Sequence, residues 1–122
     1  MTNKKFKVSY DKDGDVLTFY REEAKVEESV EVTEEMIIDL DKEGKIVGVE
    51  LLEAYQFLHT INEKITQELL SAVQEAELQF KKYRNYWIIT LVFEEQDQRI
   101  EEKLPAFASM DFQSPLVASA AA

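Results

Sequence analysis

Met36-Ile-Ile-Asp-Leu-Asp-Lys-Glu-Gly-Lys-Ile-Val-Gly-Val-Glu-Leu51 is the stretch on which the fold turns. Two runs rich in branched aliphatic residues, the composition of strands, flank Asp41-Lys-Glu-Gly44. Asp favours the first position of a type I turn. Gly at the fourth accepts the left-handed backbone that completes a three-residue hairpin with a G1 bulge. The stretch therefore predicts a hairpin of Met36–Leu40 and Lys45–Leu51, with Gly48 marking a bulge in its second arm.

Reading backward, the same device recurs. Asp11-Lys-Asp-Gly14 separates Phe6-Lys-Val-Ser-Tyr10, which alternates apolar and polar residues, from Val16-Leu-Thr-Phe-Tyr20. This predicts a first hairpin with Gly14 in the left-handed position. Between the hairpins Val26, Val30 and Val32 sit among Glu27, Glu28 and Glu31, as in a strand with one buried face or an edge strand guarded by charge. The first half thus reads as a five-strand antiparallel meander.

Reading forward, the period changes. Ile61, Ile65, Leu69, Val73 and Ala76 recur at three- and four-residue steps, predicting one amphipathic helix. Thr60 followed by Glu63 matches a capping box and sets its start near Ile61, with a short turn or helix over Leu52–Leu58 before it. Leu78 and Phe80 then alternate with polar neighbours. Tyr86-Trp-Ile-Ile-Thr-Leu-Val-Phe93 is apolar on both faces, which places it inside a sheet, and Arg99–Leu104 returns as a more polar strand. Arg84-Asn85 and Gln96-Asp97-Gln98 serve as turns. The expected fold is α+β, with one domain over 1–104: a meander at 6–54, then a helix and two or three antiparallel strands at 61–104. The tail, 105–122, carries Phe107, Met110, Phe112, Leu116 and Val117 and is expected to pack in part on the body, with disorder in its last Ala-rich residues.

Composition bounds the function. Hydrophobic residues form 45% and charged residues 32% of 122, a globular balance. No apolar run reaches the roughly 20 residues of a membrane helix, the N-terminus leads straight into a strand pattern, and there is no cysteine, so a cytoplasmic protein without membrane contact is expected. The net charge of −11 repels phosphate backbones and argues against nucleic acid. The acid excess concentrates between Glu22 and Glu53, where only Lys25, Lys42 and Lys45 oppose it. Such a run is either a solubilising face or a docking surface for a basic partner.

Tyr10-Asp11, Asp15, Leu17, Glu28-Ser29 and above all Asp39-Leu-Asp-Lys-Glu-Gly-Lys-Ile-Val-Gly-Val-Glu50 carry a family resemblance. Phe6–Ala54 resembles the small prokaryotic family called domain of unknown function twenty-two eighty-three, with Val16 where members more often have Ala. No catalytic residues come with the resemblance. What it implies is an antitoxin-like role, since members are sometimes encoded beside small toxin-like proteins.

Asp39, Asp41, Glu43, Gly44 and Glu50 occupy positions 1, 3, 5, 6 and 12 of a calcium loop, with Ile46 at position 8. A calcium loop joins two helices, whereas these flanks are strands, and a turn explains the same Asp and Gly. Asp11, Asp13, Asp15 and Glu22 repeat the spacing without the required Gly. His59, the one histidine, stands in no motif and is expected at a cap or the surface. The glycines fit no phosphate loop, and Tyr83, Tyr86, Trp87 and Phe93 fit a core better than a ligand wall. No carboxylate pair announces itself for acid–base work. The residues favour a protein without catalytic, cofactor or metal site: an acidic interaction or regulatory module docking a basic protein through Glu27, Glu28, Glu31, Glu34 and Glu35. The alternatives are a small-molecule binder or enzyme with a pocket between two meanders, and a structural homo-oligomer. A homodimer is expected from the exposed strand edges.

Overall fold

Alternation at period two extends further along this chain than the helical period, and the computed structural model is accordingly β-rich. It describes residues 2–82, 86–95 and 98–107. Eight strands, β1 (Thr2–Asp11), β2 (Val16–Tyr20), β3 (Glu28–Thr33), β4 (Met36–Leu40), β5 (Ile46–Leu52), β6 (Glu75–Lys82), β7 (Tyr86–Glu95) and β8 (Gln98–Phe107), form one antiparallel sheet in the order β3-β4-β5-β2-β1-β6-β7-β8. Two short helices, α1 (Ala54–Ile61) and α2 (Gln67–Ala72), connect its halves. The expected α+β class is thus overturned: the protein is mostly an eight-strand antiparallel sheet with little helix.

The sheet curls so that β3 comes within 8 Å, Cα to Cα, of β8. Its inner face collects one side of each strand: Phe6, Leu17, Phe19, Ile38, Val49, Leu51, Leu78, Ile89, Leu91, Phe93 and Leu104 are all buried. Ala54 and Leu58 of α1, Ile65, and Leu69 and Leu70 of α2 join the same core. Phe19 stacks on Phe93 with centroids 6.1 Å apart, tying the N-terminal strands to the C-terminal ones.

The five N-terminal strands lie where the meander predicts them, and β5 closes onto β2 in the register Leu17↔Leu51, Phe19↔Val49. Gly44 takes the left-handed backbone (φ 81°) that its hairpin requires. The first hairpin differs from expectation. Its left-handed residue is Asp15 (φ 55°), not Gly14, because the carboxylate of Asp15 gains partners there that compensate the strain.

The single amphipathic helix from Ile61 is also corrected. Asn62 is extended (φ −145°, ψ 108°), its side chain accepts from Lys64 N–H (3.0 Å), and its carbonyl accepts from Ile65 N–H (3.0 Å). This local turn offers the backbone an alternative to helix. Thr60 caps nothing: it lies inside α1 and donates to the Gln56 carbonyl (2.7 Å). The true cap is Thr66, whose hydroxyl accepts from Leu69 N–H (3.1 Å) and starts α2. Val73 ends α2, so Ala76 belongs to β6 and follows period two with Leu78. The short helix expected over Leu52–Leu58 corresponds to α1. β6, β7 and β8 supply the further antiparallel strands, and β7 is an inner strand. The turns at Arg84-Asn85 and Gln96-Asp97 and the tail from Met110 through Val117 lie outside the described residues, as does the side chain of Phe107.

Candidate functional site: a carboxyl pair beside an acidic edge

On the outer face of the sheet, Asp39 of β4 stands opposite Gly48 of β5 and Ser29 of β3. Glu50, two residues beyond Gly48, shares that face because strand side chains alternate. Asp39 is only 7% exposed. Ser29 Oγ donates to Asp39 Oδ1 at 2.6 Å. A Cβ at position 48 would lie 2.9 Å from Asp39 Oδ2 and 3.1 Å from the Phe19 carbonyl oxygen, so the carboxylate occupies the space that glycine leaves. The bulge between Asp39 and Leu40 accompanies this arrangement.

The Glu50 carboxyl lies close enough to that of Asp39 for the two to hydrogen-bond when one of them carries a proton. That bond, followed by burial and the negative charge of Asp39, pushes the Glu50 carboxyl up to about 7. No Lys or Arg occurs anywhere in β2, β3, β4 or β5 to neutralise the pair. Period-two reading across the Asp41–Gly44 turn could have found this pair, since the register follows from the hairpin. The calcium-loop spacing drew Asp39 and Glu50 into a different pattern.

The remaining members of that pattern are otherwise engaged. Asp41 Oδ1 accepts from Glu43 N–H (2.8 Å) and Lys45 N–H (2.9 Å), and Glu43 faces the Lys45 ammonium at 3.4 Å. In the first hairpin Asp11 Oδ1 accepts from Asp13 and Gly14 N–H, at 3.2 and 3.3 Å. Asp15 Oδ1 accepts from the Tyr10 hydroxyl (2.7 Å) and from Tyr55 N–H (2.8 Å), while its carbonyl takes Ala54 N–H (2.9 Å). Burial and the bond to Asp15 push the Tyr10 phenol above its usual 10. Among the described residues, no group of three or more His, Cys, Asp and Glu is placed to hold a metal ion.

His59 stacks near Tyr55 (centroids 4.9 Å) and its Nδ1 lies 2.8 Å from the Ile65 carbonyl. A carbonyl only accepts, so Nδ1 carries the proton, and the ring pins the α1–α2 connection. Phe93 is core, 1% exposed, whereas the side chains of Tyr83, Tyr86 and Trp87 lie outside the described residues. A polar groove of about 730 Å³ on the outer face is lined by Lys5, Lys7, Glu75 and Glu77 among others, with Lys7 paired to Glu75 at 3.3 Å.

The acidic segment borders the carboxyl pair. Glu28 and Glu31 lie on β3, an edge of the sheet, with Glu27 before it and Glu34 in the β3–β4 turn, all exposed. Glu35 is half-buried: its N–H donates to Thr33 Oγ1 (3.2 Å) and its carbonyl takes Leu52 N–H (2.8 Å). It therefore belongs partly to the framework. No ion pair to a described residue engages any of the five.

Residues 7–54 match the model of a family described as "Protein of unknown function (DUF2283)". An uncharacterized protein of Methanocaldococcus jannaschii is 30% identical over 66 residues, covering 54% of this chain and 56% of the relative. The chain thus spans little more than half the length of the curated relative it matches. No solved structure matches. No helix among the described residues is long and apolar enough to cross a membrane.

Proposed function

We propose that this protein is a non-catalytic interaction module that docks a basic protein segment along its acidic edge, in the manner of an antitoxin-like inhibitor. The observation that carries the reading is the placement of exposed Glu27, Glu28, Glu31 and Glu34 along and around edge strand β3. Like charges set opposite one another oppose pairing of β3 with its own copy, and the same charges attract Lys and Arg. The core supports this reading over a ligand pocket between the two halves, because Phe6, Phe19, Leu58, Ile65, Leu70 and Phe93 fill that space.

The test is capture from the native cell with the parent protein and with a variant in which Glu27, Glu28, Glu31, Glu34 and Glu35 are all Gln. Association of whatever is captured is then timed against ionic strength. Retention by the parent alone, with a rate that falls steeply as salt screens the charges over about 8 Å, supports the reading. A partner that binds both proteins equally fast, or a rate indifferent to salt, overturns it.

A further inference from the structure

The outer face over β3, β4 and β5 holds a carboxyl pair, Asp39 buried and Glu50 half-buried, with no cation on its strands. We propose that Asp39 and Glu50 keep one proton between them and, with Ser29, act as a proton-operated latch that clasps β3 and β5 to β4 and loosens when the proton leaves. Each of the three strands contributes one member. Ser29 on β3 donates to Asp39 Oδ1 at 2.6 Å, and Glu50 on β5, two residues beyond the Gly48 that stands opposite Asp39, lies on the same face within reach of that carboxyl group. Gly48 allows the arrangement, because the Asp39 side chain lies against its bare Cα at a distance that any Cβ would contest.

The surroundings leave the proton as the only neutralising charge on these strands. On this face β3 presents Ser29 and Glu31, β4 presents Ile37 and Asp39, and β5 presents Gly48, Glu50 and Leu52. The next strand, β2, presents Thr18 opposite Glu50 and Tyr20 opposite Gly48. Lys7 of β1 pairs across Tyr20, one strand further away, and its ammonium is committed to Glu75 at 3.3 Å. Beyond these strands, Arg21 follows β2, Lys25 precedes β3 and Lys45, paired with Glu43, precedes β5, while β8, which approaches β3, carries Lys103 and an Arg99 paired with Glu94 and Glu101. Glu31 can only oppose a second negative charge. Loss of the proton therefore sets two carboxylates against each other beneath a strand edge.

The sign follows from linkage. A Glu in the opened, solvated segment titrates near 4.5, and in the closed latch Glu50 titrates at about 7. The closed form binds the proton more tightly, so its advantage is complete below 4.5, declines as pH rises and is gone above about 7. The latch stands on the fold alone and does not need the acidic edge to have a partner; where a partner exists, the same proton governs how firmly β3 is presented.

The experiment uses the isolated protein. Carboxyl carbon NMR follows Glu50 from pH 3 to 9, and amide exchange at Ser29, Val30 and Glu31 reports opening after division by the intrinsic rates. The two titration points predict an opening constant that rises about tenfold from pH 6 to pH 8, one decade per unit of displaced pKa in that window. Glu50→Gln keeps an N–H donor toward Asp39 without an ionisable proton, so its opening should not change over that range. A Glu50 midpoint below about 5.5, pH-independent opening in the parent, or an unchanged tenfold rise in Glu50→Gln each overturns the latch. If Glu50→Gln fails to fold, the carboxyl titration of the parent decides alone.

Discussion

Replacing Gly48 by Ala adds one methyl group where the structure has no room for it. The new carbon would stand 2.9 Å from Asp39 Oδ2, 3.1 Å from the Phe19 carbonyl oxygen and 3.3 Å from Asp39 Cβ. Only the first of these can swing away. The Phe19 oxygen belongs to β2, whose register Phe19↔Val49 and Tyr20↔Gly48 fixes it against β5, so the backbone itself must give. Overpacking of this kind costs about 1–3 kcal/mol. Removing glycine from a strand returns about 0.5–1 kcal/mol of chain entropy, so the net loss should be about 1–2 kcal/mol. For a chain between the small and medium size classes that is a fall in Tm of roughly 5 °C. Urea or thermal unfolding of Gly48→Ala, Asp39→Ala and the double variant measures it. Because removing the Asp39 carboxylate deletes one of the clashes, the double variant should lose less than the sum of the singles, by about 0.5 kcal/mol or more. A Gly48→Ala protein as stable as the parent, or strict additivity, would refute the claim that the carboxylate fills the glycine's space.

Asp15→Ala should lose about 2–3 kcal/mol in urea denaturation, since it removes an acceptor shared by Tyr10 and Tyr55 and leaves Ala at a φ of 55°, whereas Asp15→Asn, which tolerates that backbone, should lose less. Leu58→Ala, at a fully buried position in α1, should cost about 2–5 kcal/mol by the same assay. Calcium added to micromolar levels should produce no saturable amide shifts centred on Asp39, Asp41 and Glu50, because Asp41 is held by its own turn; such shifts would contradict the hairpin reading. Light scattering after size exclusion should give twice the chain mass of 14.2 kDa, because the ten-residue edge strand β8 offers a second copy backbone groups that six-residue β3 does not match; a monomer at high concentration refutes this.

Where chain-local chemistry decides the structure, the sequence was legible. Asp41 and Gly44 specify a hairpin through one side chain and one backbone angle, and the strands on both sides follow from alternation. The helix was misread because Ile61, Ile65, Leu69 and Val73 satisfy a helical period whether or not the backbone between them is helical. Asn62 and Thr66, each bonding its own neighbourhood, break the segment into two short pieces. Gly14 was misassigned because the Asp15 carboxylate compensates its backbone strain through Tyr55, forty residues away. The juxtaposition of Asp39 and Glu50 is legible in the hairpin register, but their shared proton is not: it depends on burial and on the absence of cations across four strands, which no single window of sequence displays.

The ladder between β1 and β6 has a consequence for how such a chain is put together. The segment matched by the family model, 7–54, ends before β6 begins, yet β1 lies between β2 and β6. Cut at that point, the five remaining strands would leave two open flanks. One, β3, is studded with carboxylates, and the other, β1, carries Lys5, Lys7 and alternating apolar residues with a full row of unmet amides and carbonyls. In this chain β6 occupies that flank from Thr2↔Phe80 to Lys7↔Glu75 and extends the sheet outward through β7 and β8. The C-terminal half thus works as a tethered lid on a sticky seam. A different tethered strand, or one lent by a second molecule, could seal the same seam without altering the hairpins behind it.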